Sequence, residues 1–168
     1  MIVCIIVCLI VLLEIKEWIL WNIENKESDD KESVMITNFT FKELIKTDTG
    51  LDNLPNDMNI IKNLVKVTEF LQVIRNELHL PIIVTSGYRS KEVNDKVGGV
   101  YSSYHCKGLA ADIKCKDMDK LLSVLHSHLM EIDQLGIYYN SSEQLWYHVG
   151  LPEEGKVPRN QIYTKKIK

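Results

Sequence analysis

The residues best suited to chemistry lie between Ser86 and Asp112 and in one short stretch much later in the chain. The first reads Ser86-Gly87-Tyr88-Arg89-Ser90, then Asn94, then Val97-Gly98-Gly99, then Ser103-Tyr104-His105-Cys106-Lys107-Gly108-Leu109-Ala110-Ala111-Asp112. The second is Trp146-Tyr147-His148-Val149. His105, Asp112 and His148 together offer two imidazoles and one carboxylate, a donor set that suits a borderline-soft dication such as Zn2+. A catalytic zinc takes about three protein ligands and keeps one position open for water. The local sequence leaves room for such an ion. Gly108 permits a turn or a close backbone approach, and Ala110 and Ala111 are small. Spacing alone does not decide the matter, because a His, a Gly and an Asp in one segment equally suit an ordinary turn.

The elements that must carry these residues can be read from periodicity and punctuation. Ile60, Ile61, Leu64, Val67, Leu71, Ile74 and Leu78 recur at helical spacing, so Asp57 to Leu78 is a long helix with a core-facing stripe. Thr40 and Glu43 have the spacing of a capping box at the head of a short helix, Phe41 to Ile45. Pro81 to Ser86 is rich in β-branched residues and reads as a strand. A short helix over Lys91 to Lys96 and a sharp turn at Gly98-Gly99 follow. Ala110 to Lys114 is a strand that carries Asp112, with Leu109 and Ile113 on its apolar side. Met118 to Leu129 is a second amphipathic helix, with Leu121, Leu122 and Leu125 inward. Asp133 to Tyr139 and Leu145 to Gly150 form a hairpin across Asn140-Ser141-Ser142, and the tail after Pro152 reads as loop and surface. This order implies an α+β fold, a small antiparallel sheet with flanking helices. His79, His126 and His128 fall at helix ends and read as exposed histidines rather than ligands.

The chain of 168 residues suits one modest domain with an extension. Its formal net charge of −3 gives no general reason to expect nucleic acid as a partner. Met1 to Leu13 is an unbroken apolar run, short against the roughly 20 residues a bilayer span needs. Trp18-Ile19-Leu20-Trp21 extends it with tryptophans typical of a membrane interface. Neither a basic start nor a small-residue cleavage site is clear. Residues 1–21 are therefore expected to be an apolar anchor or signal anchor, which implies an extracytoplasmic, membrane-anchored or secreted protein. Residues 22–33 have linker composition, and 34–168 form the folded domain, expected to be a monomer. Cys106 and Cys115 flank the Asp112 strand, which leaves a disulfide between them open. Cys106 neighbours His105 on the chain and is expected to point away from it.

These motifs resemble, in order, those of the zinc D-Ala-D-Ala carboxypeptidase family of peptidoglycan peptidases, relatives of the VanX-type D,D-dipeptidases and the phage L-alanyl-D-glutamate endolysins. The family pattern Ser-x-His-x-x-Gly-x-Ala-x-Asp followed by Trp-x-His is matched by Ser103, His105, Gly108, Ala110, Asp112, Trp146 and His148. Ser86-Gly87-Tyr88-Arg89-Ser90, Asn94-x-x-Val97-Gly98-Gly99, Phe39-x-x-x-Glu43-Leu44 and Asp133-Gln134-Leu135 match as well. The resemblance runs from about Asn38 to about Val149. It implies the hedgehog-type peptidase fold, Zn2+ as cofactor, and hydrolysis of peptidoglycan stem peptides next to a D-amino acid by metal-activated water.

The resemblance also implies roles. Arg89 stands where the family has an arginine, and a guanidinium can grip a carboxylate or a developing oxyanion. Ser103 resembles the family's substrate-contacting serine. Tyr88 and Trp146 are candidates to wall the pocket, Trp146 with core packing as the larger share of its work. Asn94 is read as a cap of the short helix. The general base departs from the pattern. Close relatives carry a glutamate on the strand after Asp-Gln-Leu, where this chain has Gly136-Ile137-Tyr138-Tyr139. Other branches place one three residues before the last histidine, where this chain has Leu145. Glu143 and Asp133 are the nearby acids; Glu143 is the choice for base, and Asp133 can instead orient a ligand histidine. Without a base, the fold would persist as a catalytically impaired zinc-containing module that binds cell-wall peptides or a protein.

Overall fold

A computed structural model of the chain describes residues 38–142 and 144–167. The apolar stretch 1–21, the linker 22–33 and Glu143 lie outside the described residues. Among the described residues no helix is long and apolar enough to cross a membrane.

The chain opens with the short helix α1 (Phe41–Leu44). The Thr40 side chain accepts from the Glu43 N–H, and the Glu43 carboxylate accepts from the Thr40 N–H at 2.7 Å. The capping box satisfies both of these otherwise orphaned donors. Helix α2 (Met58–Leu78) starts at Asp57, whose carboxylate accepts from the Asn59 N–H at 2.8 Å. It stops at His79, which takes the left-handed conformation at φ 54° just before Leu80-Pro81. Strand β1 (Ile83–Ser86) and the short helix α3 (Lys91–Lys96) follow, then a 3-10 turn (Tyr104–Lys107) and β2 (Ala110–Lys114). Helix α4 (Met118–Ser127) is capped by Asp117. The chain finishes with β3 (Gln134–Tyr139), β4 (Leu145–Gly150) and β5 (Gln161–Lys166).

The strands form one sheet in the order β1-β2-β4-β3-β5. The first four run antiparallel, as the sequence implies. The fifth does not follow the expectation of a loop after Pro152. It adds to the edge parallel to β3, with Gln134 against Gln161 and Tyr139 against Lys166.

One face of the sheet carries the core. Ile113, Tyr147, Val149 and Leu135 meet Leu64, Leu71, Ile74 and Leu78 of α2 and Leu121 and Leu125 of α4, all nearly or wholly buried. Each such side chain contributes about 1.5–3 kcal/mol through area removed from water. Because strand side chains alternate, Trp146 and His148 take the face opposite Tyr147 and Val149. Trp146 is therefore not the core residue it was expected to be; Tyr147 fills that place. Cys106 and Cys115 are both free thiols, so the disulfide left open by the sequence is not formed.

Candidate metal centre

A single transverse row of residues crosses the sheet on the face away from the core. Ser86 pairs with Asp112, Asp112 with His148, His148 with Gly136, and Gly136 with Tyr163. Directly opposed residues share a face, so registry alone sets Asp112 beside His148. His105 arrives from the 3-10 turn just before β2. That turn closes at Gly108, φ 69°, where a Cβ would lie 2.8 Å from the Ile60 carbonyl oxygen. Glycine meets both the left-handed backbone and the close approach to α2.

His105, Asp112 and His148 are 3 %, 5 % and 5 % exposed. His105 Nδ1 lies 2.6 Å from the Gly87 carbonyl oxygen, which can only accept, so Nδ1 carries the hydrogen. In the neutral ring Nε2 then presents a bare lone pair. That atom is 3.2 Å from Asp112 Oδ1 and 3.1 Å from His148 Nδ1, and His148 Nδ1 is 2.9 Å from Asp112 Oδ1. Three acceptor-type atoms thus converge with at most one hydrogen to share among them. Ligand atoms around a tetrahedral zinc are spaced by about 3.3 Å, so the triangle is close to the size such an ion requires. The residues fit a dication.

The surroundings keep the donors in their ligating forms. Burial by itself pushes the Asp112 carboxyl up, but His105 and His148, by charge and hydrogen bond, hold it far below the usual carboxylate range. Burial pushes His148 down, against the opposing effect of its hydrogen bond to Asp112 Oδ1, and so favours the neutral imidazole a metal needs. Arg89 donates from Nη2 to Asp112 Oδ2 at 2.7 Å and from Nε to Ser86 Oγ at 2.9 Å. The Gly87 carbonyl and the Arg89 guanidinium therefore orient two of the three ligands from behind, as outer partners of metal sites do.

The triad opens into a cavity of about 570 Å3. Arg89, Ser103 and Trp146 line it. Tyr88 does not; it is buried in the core, its N–H bonded to the Leu44 carbonyl at 2.7 Å. Asp133 is not brought to the triad either. Its carboxylate is taken by Arg159, with Nη2 at 2.6 Å and Nε at 3.0 Å, and that pairing holds Asp133 below its ordinary range. Asn94 does not cap α3, whose N-cap is Ser90. Its Nδ2 donates to the Val100 carbonyl at 3.0 Å and braces the Val97–Val100 turn that forms one cavity wall.

Sequence reasoning missed Tyr138, Arg159, Tyr163 and Lys165, which also line the cavity. Tyr138 stacks on the His148 ring at 5.7 Å and 20°. Its hydroxyl is 2.9 Å from that of Tyr163. Burial pushes both phenols up, so both stay protonated through neutral pH. The available signal was Gly136, since a glycine inside a strand marks close approach by another group. A Cβ there would lie 3.0 Å from Tyr138 Cε1 and 3.0 Å from the Tyr163 hydroxyl.

The comparison with known families agrees with this geometry. Residues 37–149 match the model of Peptidase M15. The chain belongs to this peptidase family. M15 peptidases depend on a metal, usually zinc, and the His105–Asp112–His148 cluster of this M15 domain is the group of described residues that can hold one. No curated protein gives a significant match to the chain. The matched stretch ends within β4, so Arg159 and the whole of β5 lie beyond it.

Proposed function

We propose that this M15 domain is a zinc-dependent peptidase that hydrolyses peptidoglycan stem peptides at a bond next to a D-amino acid. The observation that carries the reading is the convergence of His105 Nε2, Asp112 Oδ1 and His148 Nδ1 at 2.9–3.2 Å inside the family-matched stretch. His105, Asp112 and His148 would hold a Zn2+, which when bound would supply Lewis-acid polarisation of a peptide carbonyl and activation of water. The chain's own residues do the rest. Gly87 and Arg89 fix the ligands. Arg89 also forms part of the cavity wall, where its positive charge favours a substrate carboxylate or the negative charge that develops on the peptide oxygen. Ser103 and Trp146 bound the substrate's path. Glu143, at the tip of the β3–β4 hairpin in sequence, is the general base in this reading.

Supporting a peptidoglycan partner are the motifs shared with cell-wall peptidases. The apolar run at 1–21 favours an extracytoplasmic, membrane-associated location. Nothing in the charge balance calls for nucleic acid, and the domain is read as a monomer. The test is metal analysis of the purified protein followed by chelator-sensitive cleavage of a muropeptide panel. Zinc-loaded protein that leaves every stem peptide intact overturns the hydrolase reading.

One observation favours a second reading. Among the described residues that line the cavity, the only carboxylate is the ligand Asp112. A domain without a base would bind cell-wall peptides and not turn them over. Binding of muropeptides by the zinc-loaded protein without cleavage, unchanged in Glu143→Gln, supports that alternative.

A further inference from the structure

The sheet edge beyond the family-matched stretch delivers a side chain to the cavity into which the triad opens. Strand β5 is largely exposed, and Tyr163 is its half-buried residue near the middle. In the transverse row it is separated from His148 only by Gly136, which has no side chain. The Tyr163 ring uses that notch: its hydroxyl lies 3.0 Å from where a Gly136 Cβ would stand. There it meets the hydroxyl of Tyr138, whose ring covers His148.

Two hydroxyls 2.9 Å apart hold two hydrogens but need only one for the bond between them. The phenol that accepts keeps its own O–H for another partner. Both phenols line the cavity into which the triad opens. A neutral donor on the wall of the same cavity, oriented by a second hydroxyl and a glycine notch, is the arrangement that stabilises charge appearing on a substrate oxygen.

We propose that Tyr163, oriented by Tyr138, donates a hydrogen bond to the oxygen of the scissile peptide group as negative charge develops on it. This assignment rests on the peptidase reading and adds to it a residue from outside the family-matched stretch. No covalent step involves the phenol; it stays protonated throughout. Tyr138→Phe leaves the Tyr163 O–H in place and removes its anchor, so its effect is smaller.

The test compares wild type, Tyr163→Phe and Tyr138→Phe as zinc-loaded full chains. Three quantities are measured: zinc affinity by chelator competition, the melting temperature, and calorimetric affinity for a phosphinate analogue of D-Ala-D-Ala and for the plain D-Ala-D-Ala dipeptide. The phosphinate carries the tetrahedral oxyanion; the dipeptide does not. The expected result is a loss of about 10²-fold in phosphinate affinity in Tyr163→Phe. A smaller loss is expected in Tyr138→Phe, with zinc affinity, melting temperature and dipeptide affinity close to wild type. Equal losses for phosphinate and dipeptide, or an unchanged phosphinate affinity in Tyr163→Phe, overturn the donor role and leave the peptidase reading standing. Wild-type protein that binds no zinc, or binds zinc but neither ligand, overturns the peptidase reading and the donor role with it.

Discussion

Replacing Asp112 by Asn tests the electrostatic design of the site without changing its shape. In the metal-free protein the Asp112 carboxylate faces two imidazoles and the Arg89 guanidinium, with the Arg89 contact at 2.7 Å and side-chain exposures of 19 % and 7 %. Removing one partner of a buried pair costs about 3–5 kcal/mol, largely because the other charge is stranded. Arg89 is partly solvated and also donates to Ser86 Oγ, which lowers the expected cost to about 2–3 kcal/mol. For a domain of this size that is a fall in Tm of roughly 6–9 °C. The assay is thermal unfolding at pH 7 after chelation for wild type, Asp112→Asn, Arg89→Met and the double variant. A cycle of this kind isolates the pair. The double variant should be more stable than Asp112→Asn alone, since the stranded cation is gone. Strictly additive losses would refute the claim that Arg89 and Asp112 are held together by charge.

Further outcomes follow from single contacts. Gly87→Ala should destabilise the fold by about 1–3 kcal/mol and weaken zinc binding, because its Cβ would lie 2.2 Å from the Leu44 carbonyl oxygen and displace the carbonyl that orients His105; a melt and a chelator titration read both. His128 sits between Glu131 and Glu77, and their hydrogen bonds raise its pKa. Its contribution to stability is complete below the unfolded value of about 6.5 and is lost as pH rises through the higher folded value. Denaturant melts of wild type and His128→Gln should therefore differ most near pH 5.5 and converge in alkaline buffer. Glu143→Gln should lower kcat on a cleaved muropeptide by about 10²–10⁴-fold while zinc content stays unchanged; retained turnover removes Glu143 as the base.

The parts of the fold that local chemistry dictates were legible in the residues. The capping box at Thr40 and Glu43 and the apolar stripe of α2 both appear where local chemistry puts them. The triad was legible as a set of residue types, and its assembly depends on registry that the sequence implies only through the family likeness. Strand β5 was not legible, because an edge strand with one half-buried side chain has no apolar alternation to announce it. It forms because β3 offers an unpaired edge, a non-local cause. Asp133 matched a motif position, yet its role depends on Arg159, far along the chain and beyond any local signal. Alternation puts Trp146 and His148 on one strand face, but only the packing of α2 and α4 decides which face is core.

The most direct measurement of the central claim is the zinc stoichiometry of the purified full chain by elemental analysis, beside His105→Ala, Asp112→Ala and His148→Ala. The account predicts one zinc per wild-type chain and a large loss in each of the three variants, with Cys106→Ala still carrying its ion. Wild-type protein free of metal, or a His148→Ala variant that holds zinc as tightly as wild type, contradicts it.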